Sequence, residues 1–219
     1  MSLLKLDYCG KKFSRGNTVI GAVQPTAVAF DEGVHVIYGK GGAGKSTLLH
    51  MMAGMEPPSD GKVYFDGASV YDDLDLPELY RRDFAFLYAE DNLVPEFNVR
   101  DNIRLPLQFQ RERGDGSLEK LTEELKLMGM LTMRPQSLSE EQQLRAAIAM
   151  ALIRRPRIVF ADDITAHLHT DEAAAIAKLL VRQCRAAGAM LIWATADEAM
   201  TAYADQVYTM TDGRLAPRA

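Results

Sequence analysis

The segment Gly39–Ser46, GKGGAGKS, constrains the fold of this chain more than any other stretch. It matches the pattern G-x-x-x-x-G-K-[ST], in which the glycines let successive backbone N–H groups approach a phosphate closely. The apolar segment Val34–Gly39 predicts a buried strand before the loop, and the residues after the loop predict a helix that ends at Gly54. The loop N–H groups and the positive end of that helix dipole would both face the phosphates. The motif therefore predicts an α/β fold that holds a nucleotide.

Side chains of the loop and of one later strand are predicted to hold the nucleotide and its metal ion. Lys45 is placed to reach the β- and γ-phosphates, and the Ser46 hydroxyl is a ligand for Mg²⁺. A second buried strand, predicted at Arg157–Asp163, carries Asp162, whose carboxylate would hold Mg²⁺ directly or through water. A strand-end carboxylate that only caps the next helix is the alternative for Asp162. The predicted phosphate-loop contacts are Gly39, Gly41, Gly42, Ala43, Gly44, Lys45, Ser46 and Thr47.

Length and charge exclude several functional classes. The chain has 219 residues and a net charge of -5, so it lacks the basic balance typical of a nucleic-acid-binding protein. The two cysteines, Cys9 and Cys184, are far apart and have no metal-type spacing, which indicates reduced thiols in a cytosolic protein. The longest apolar run, Ala146–Ile153, is too short to span a bilayer. We therefore expect a cytoplasmic location and no nucleic-acid partner.

Strand and helix patterns alternate along most of the chain, which predicts a largely parallel sheet covered by helices. Further strands are predicted at GKVYFDG, at Phe84–Tyr88 and at AMLIWAT, and we expect the last of these to be the final core strand. A long helix is expected from about Asp171 to a stop at Gly188. The segment YADQVYTMTDGRL predicts a closing hairpin that turns at Asp212-Gly213.

The region from about Glu90 to Arg155 differs, because helical periodicity dominates there. A kink is expected at Pro106 and a loop at RERGDGS. We interpret this region as a helical subdomain inserted into the α/β core.

These motifs, in this order and spacing, resemble the ATP-binding cassette (ABC) ATPases over nearly the whole chain. The segments that carry the resemblance are GKGGAGKSTLLHMMAGMEPPSDGKVYFDG, NLVPEFNVRDNI, PQSLSEEQQLRAAIAMALIRRPRIVFADD and ADQVYTMTDGRL. The chain is most similar to the short ATPase subunits of bacterial lipoprotein-release, macrolide-exporter and cell-division transport systems. The resemblance implies ATP and Mg²⁺ as cofactors and places Phe13 where the family stacks an aromatic ring on adenine. A plain core aromatic is the alternative for Phe13.

The same resemblance implies the fold class. We expect an α/β P-loop NTPase of the ABC ATPase type, with a RecA-like core, an N-terminal antiparallel β subdomain and an inserted helical subdomain. Residues 1–219 would form a single ABC ATP-binding domain. The nucleotide-binding core would comprise about residues 1–89 and 156–219, and the helical subdomain about residues 90–155.

The family's signature sequence LSGGQ is altered in this chain. Two cassettes of the family enclose two ATP molecules, and the signature helix of each meets the γ-phosphate bound to the other. Here the sequence is LSEEQ, with Ser139 and Gln142 spaced as a helix capping box and with Glu140 and Glu141 between them. Acids stabilise the start of a helix, but a like-charge pair about 4 Å apart costs about 4 kcal/mol near a protein surface. The change therefore predicts poor reception of a partner's nucleotide.

Three further positions depart from the family's catalytic pattern. The glutamine that contacts Mg²⁺ and the attacking water is replaced by Ala89, and the histidine that contacts the γ-phosphate is replaced by Ala196. The glutamate that polarises the water is replaced by Asp163, a candidate base on a stem one methylene shorter. Nearby His167 and His169 are interpreted as surface or interface residues.

Together these patterns predict nucleotide binding more strongly than hydrolysis. We expect an ATP-binding cassette protein, the nucleotide-binding subunit of an ABC-type transport or related membrane complex, that binds Mg-ATP with weak or absent hydrolysis. An active ABC transporter ATPase is the alternative. The resemblance implies a membrane permease subunit as partner and the inner face of the membrane as a place of peripheral attachment. A heterodimer with an intact ABC ATPase fits the altered signature, and an ATP-driven homodimer is disfavoured.

Overall fold

In the computed structural model, residues 3–15, 18–109 and 117–218 are described, and they form two β-sheets with helices packed between and around them. The first sheet is antiparallel, with its strands in the order β2-β1-β4-β5. Its strands are β1 Leu4–Arg15, β2 Thr18–Phe30, β4 Asp60–Phe65 and β5 Ala68–Ser69. The expected N-terminal antiparallel subdomain is confirmed.

The second sheet is the core of the fold and has the strand order β10-β9-β3-β8-β7-β6. Its strands are β3 Val34–Tyr38, β6 Phe84–Leu87, β7 Ile158–Asp162, β8 Met190–Thr195, β9 Gln206–Thr211 and β10 Arg214–Pro217. All neighbouring pairs are parallel except β9 and β10.

The expectation that AMLIWAT forms the final core strand is wrong. This segment is β8, which lies in the middle of the sheet, and β9 adds a further parallel strand beside β3. Only alternate residues of β9 are buried, whereas every residue of β8 is buried. The period-two pattern of β9 is therefore typical of a hairpin strand and hid its parallel pairing. The hairpin itself is confirmed, with positive φ angles of 48° at Asp212 and 77° at Gly213.

Helices connect the strands and cover the sheets. They are α1 Lys45–Met52, α2 Leu76–Arg82, α3 Val99–Arg104, α4 Ser117–Glu124, α5 Glu140–Leu152 and α6 Thr170–Ala187. The α1 helix contacts strands of both sheets, and its buried side chains join one apolar core with them. The α5 and α6 helices pack on the opposite face of the core sheet in a second apolar core. No described helix has both the length and the apolar character needed to cross a bilayer.

Most helix ends lie where the sequence places them. The α6 helix begins at Thr170 and stops at Gly188, which adopts a left-handed conformation with φ 69°. At Pro106 the α3 helix has given way to a 3₁₀ segment, Leu105–Phe109, as expected of a residue without a backbone N–H. The predicted RERGDGS loop lies outside the described residues except for its serine. The division into residues 1–89, 90–155 and 156–219 stays a prediction.

Parallel pairing brings the chemically important loops to one edge of the core sheet. In β3 Tyr38 is paired with Thr195 of β8, and Ala194 of β8 is paired with Asp162 of β7. The loops after these three strands therefore start side by side. Ligands of open α/β sheets bind at the carboxyl ends of parallel strands, so this edge is the candidate site.

Candidate nucleotide-binding site

The loop Gly39–Gly44 connects β3 to α1, as the sequence predicts. The Gly39 N–H donates to the carbonyl of Thr195 at 3.1 Å, which extends the pairing of β3 with β8 into the loop. Gly44 has φ 101°, and a Cβ on it would collide with the carbonyl oxygen of Ala22. Gly41 and Gly42 face open space within 4 Å of their Cβ positions. Glycine is therefore required at Gly44, where the loop packs against Ala22. At Gly41 and Gly42 the loop faces open space.

Lys45 is folded back into the loop. Its ammonium group donates to the carbonyl of Gly39 at 2.8 Å and to that of Lys40 at 3.2 Å, and the side chain is buried. A buried charge needs partners of this kind. The two bonds hold Lys45 across the loop, where it can exchange carbonyl oxygens for phosphate oxygens without leaving the site.

The oxygen atoms expected to hold Mg²⁺ are also brought together. Ser46, in the first turn of α1, lies close enough to Asp162 at the end of β7 for its hydroxyl to favour the ionised carboxylate. Burial raises the pKa of the Asp162 carboxyl above its ordinary value, and the nearby Ser46 hydroxyl opposes that shift. One oxygen of this carboxylate, Oδ1, is buried and has no hydrogen-bond partner among the described residues. A hard cation with oxygen ligands would satisfy that atom, so the donor set fits Mg²⁺.

Phe13 lies on β1 and is 41% exposed, which excludes the alternative of a plain core aromatic. The ammonium group of Lys11 lies 5.1 Å from the centre of its ring. Lys11 is anchored in turn by the carbonyl of Pro57 at 2.7 Å and by an ion pair with Glu56. The ring is thus supported by a cation and remains accessible, as an adenine-stacking residue must be. Its stacking on adenine stays a prediction.

The start of α5 has the predicted capping box. The Ser139 hydroxyl accepts from the Gln142 N–H at 3.3 Å, and the Gln142 side chain accepts from the Ser139 N–H at 3.0 Å. The two glutamates between them differ in environment. Glu141 forms an ion pair of 2.5 Å with Arg145 one turn later, whereas Glu140 is exposed. The negative charge presented at this helix start is therefore mainly that of Glu140.

The position of the family's glutamine borders a cavity. A cavity of about 340 Å³ lies between the loop after β6, the start of α5 and the loop after β7. Ala89 lines it with a methyl group only, and neighbouring Glu90 is paired with His167 at 3.1 Å. Glu90 therefore contacts the loop after β7. His167 is exposed, as predicted, and so is His169 at the start of α6.

Asp163 is held by the end of β8. Its Oδ1 accepts from the backbone N–H of Ala196 at 3.2 Å and from the Thr195 hydroxyl at 3.4 Å. The residue has φ 50°, a left-handed conformation that aspartate tolerates better than most side chains do. Asp163 and Ala196, two positions at which the sequence predicts a departure from the family's pattern, are thus joined by a hydrogen bond from the Ala196 backbone N–H.

Three residues of this edge were not predicted. Thr195 is fully buried between Asp163 and the phosphate loop, and nothing in the sequence distinguishes it from a strand residue. Arg145 neutralises Glu141, and the i,i+4 spacing on a helix was the available signal. His50 lies one turn after Ser46 on the same helix, and its Nε2 is buried without a partner among the described residues.

The fold and this edge together define a nucleotide-binding cassette. The family model of the ABC transporter matches residues 28–166, so the chain belongs to the ABC transporter ATP-binding family. ATP and Mg²⁺, the cofactors expected from the sequence, are those of this family.

Similar proteins and a solved structure belong to the same class of ATP-binding cassettes. The chain is 34% identical to the lipoprotein-releasing system ATP-binding protein LolD of Bordetella pertussis, over 98% of this chain and 95% of that protein. It is 31% identical to LolD of Syntrophotalea carbinolica, over 98% of this chain and 97% of that protein. A dimeric, post-hydrolysis structure of the ATP-binding cassette MJ0796 bound to ADP and Pi aligns with TM-score 0.84 and 29% identity, covering 99% of each chain.

Proposed function

We propose that this chain is the nucleotide-binding subunit of an ABC-type membrane transport complex and that it binds Mg-ATP with weak or absent hydrolysis. One observation carries the proposal. The phosphate loop and Asp162 keep the residues that would contact phosphate and Mg²⁺, while Asp163, the remaining candidate base, has one carboxylate oxygen bound to Thr195 and Ala196.

The binding residues act by charge and by backbone geometry. Lys45 would supply a positive charge held across the loop, and the start of α1 would supply N–H groups to the phosphates. Ser46 and Asp162 would hold Mg²⁺, which neutralises phosphate charge when it is bound. Phe13 would stack on adenine and orient the base. None of these contacts involves Ala89, Asp163 or Ala196, where the chain departs from the family's catalytic pattern.

The catalytic residues are depleted at the same edge. Phosphoryl transfer depends on positioning the water and on stabilising the charge that develops on the phosphate. Ala89 and Ala196 have no side-chain donor or acceptor for either task. Asp163 is the candidate base, and its Oδ1 is held by the end of β8. The losses are expected to reduce turnover by orders of magnitude, although their effects are not additive.

The partners follow from the relatives. LolD is named as the ATP-binding protein of a lipoprotein-releasing system, and this chain covers nearly all of it. We infer by analogy a membrane permease as the partner and attachment at the inner face of the membrane through it. A heterodimer with an intact ABC ATPase would supply the unaltered signature helix that this chain lacks.

An active transporter ATPase is a second candidate, and one comparison favours it. MJ0796, of nearly the same length and fold, was solved as a dimer after hydrolysis. If this chain works in the same way, Asp163 would have to act as base through its free oxygen.

Binding and turnover separate these two candidates. We expect micromolar binding of Mg-ATP, of the order common for nucleotide sites, with phosphate release at least about 100-fold slower than in an intact cassette. Binding is measured by calorimetry and turnover by phosphate release at saturating Mg-ATP, with an intact cassette of the family as the reference. Phosphate release at the reference rate would establish the active ATPase instead, and absence of binding would contradict both candidates.

The altered signature predicts that Mg-ATP alone does not drive stable self-association. Each nucleotide of a homodimer would face the exposed carboxylate of Glu140, and that repulsion opposes closure. Light scattering in excess Mg-ATP measures the mass. Glu140→Gln is expected to promote dimer formation, and Glu119→Gln, an exposed glutamate of α4, is the control. A tight ATP-dependent dimer of the unaltered chain would overturn this prediction.

A further inference from the structure

The Asp163 carboxylate is already hydrogen-bonded to the protein through one of its oxygens. Its Oδ1 accepts two hydrogen bonds from the end of β8, at 3.2 Å from the Ala196 N–H and at 3.4 Å from the Thr195 hydroxyl. Its own N–H donates to the carbonyl of Ala194 at 2.8 Å, and its carbonyl accepts from Ala166 at 3.0 Å. Both its backbone and its side chain therefore tie the loop after β7 to the end of β8.

Thr195 carries this connection to the phosphate loop. Its carbonyl accepts from the Gly39 N–H at 3.1 Å, the first hydrogen bond of the phosphate loop beyond β3. Its hydroxyl donates to Asp163 and accepts from the Asp197 N–H at 3.1 Å, so both hydroxyl functions are satisfied in a fully buried side chain. Replacing one partner of such a network leaves a buried polar group without its bond.

We propose that Asp163 is a positioning residue for the phosphate loop. Its carboxylate fixes Thr195 and Ala196, and the Thr195 carbonyl in turn fixes Gly39 at the start of the loop. The inference rests on the proposed nucleotide-binding function and deepens it. Asp163 would thereby contribute to nucleotide affinity, and not mainly to the transfer of a proton from water.

Binding measurements on two Asp163 variants separate positioning from base chemistry. Asn keeps an oxygen that can accept the bonds from Ala196 and Thr195, whereas Ala removes it. We expect Asp163→Ala to weaken Mg-ATP and ADP binding about fivefold, the effect of losing about one net hydrogen bond. Asp163→Asn is expected to bind within about twofold of the unaltered chain. Fluorescent ATP and ADP analogues report the affinities, and residual phosphate release is recorded in parallel.

Two further variants control the test. Thr195→Val removes the hydroxyl at nearly constant shape. Like Asp163→Ala, it is expected to weaken Mg-ATP binding. It keeps the test decisive if Asp163→Ala fails to fold. Asp171→Ala, at an exposed position in the first turn of α6, is expected to have no effect on binding. Circular dichroism verifies that each variant is folded.

The outcomes are distinct. Weak binding in Asp163→Ala and Thr195→Val, with rescue in Asp163→Asn, supports positioning. Unchanged nucleotide affinity in both Asp163→Ala and Thr195→Val overturns the positioning role. Intact affinity in Asp163→Ala, together with loss of residual phosphate release in Asp163→Asn, overturns it as well and indicates that Asp163 acts as a base. If the unaltered chain binds no nucleotide, the proposed function fails before the role of Asp163 is tested.

Discussion

Replacing Lys45 with alanine is expected to weaken Mg-ATP binding by at least about 100-fold, because two charge-assisted hydrogen bonds to phosphate together contribute about 3 kcal/mol or more. The ammonium group already lies within the loop, where it donates to the carbonyls of Gly39 and Lys40. Its removal deletes the one side-chain positive charge buried in the described part of that loop. Calorimetric titration with Mg-ATP measures the loss.

Lys40→Ala is the matched control, since Lys40 belongs to the same loop and has the same charge but an exposed side chain. Its replacement is expected to change affinity by less than about threefold, as for most solvent-screened charges. If Lys45→Ala binds Mg-ATP as tightly as the unaltered chain, the phosphate site has been assigned to the wrong residues.

Restoring the family's catalytic residues is expected to raise phosphate release by about 100-fold or more. The triple variant Ala89→Gln, Asp163→Glu and Ala196→His supplies a water-orienting amide, a longer carboxylate stem and a donor for the γ-phosphate. Asp163→Glu is also expected to disturb the bonds to Thr195 and Ala196, so turnover must be compared at saturating Mg-ATP. Phosphate release is then measured with the signature unaltered and with Glu140→Gly added, because closure of two cassettes completes the site in this family.

The single variants serve as controls for the triple. Each is expected to give a much smaller gain, because residues that act as a unit contribute non-additively. If the triple variant remains as slow as the unaltered chain, with Mg-ATP still bound, the missing side chains are not what limits hydrolysis. Fast phosphate release by the unaltered chain would contradict the proposal of weak or absent hydrolysis.

Local signals in the sequence were sufficient for the elements that frame the site. The phosphate loop requires glycine for steric reasons that are visible in one short segment, and α1 and β3 follow from the patterns beside it. The capping box of α5 and the stop of α6 at Gly188 are likewise satisfied within a few residues. Where pairing partners are far apart in sequence, local patterns failed, as with β9, which pairs in parallel with β3.

The sequence predicts departures from the family's catalytic pattern at Ala89, Asp163 and Ala196, but the surroundings of these residues depend on contacts across the fold. The sequence shows that Asp163 is a carboxylate, and only the folded chain places it against Thr195 and Ala196, 32 and 33 residues away. In the same way, Glu140 and Glu141 look equivalent until the orientation of α5 leaves one exposed and pairs the other with Arg145.

The sequence by itself determined the strand, glycine loop and helix around Gly39–Ser46 and predicted a nucleotide phosphate site there, because that motif needs only local backbone freedom and one lysine. Tertiary structure alone decided how that site is supported, since parallel pairing of β3, β8 and β7 brings Gly39, Thr195 and Asp162 to one edge of the sheet. The physical reason is that hydrogen-bonded groups such as Asp163 and Thr195 depend on distance in space, which sequence spacing does not specify.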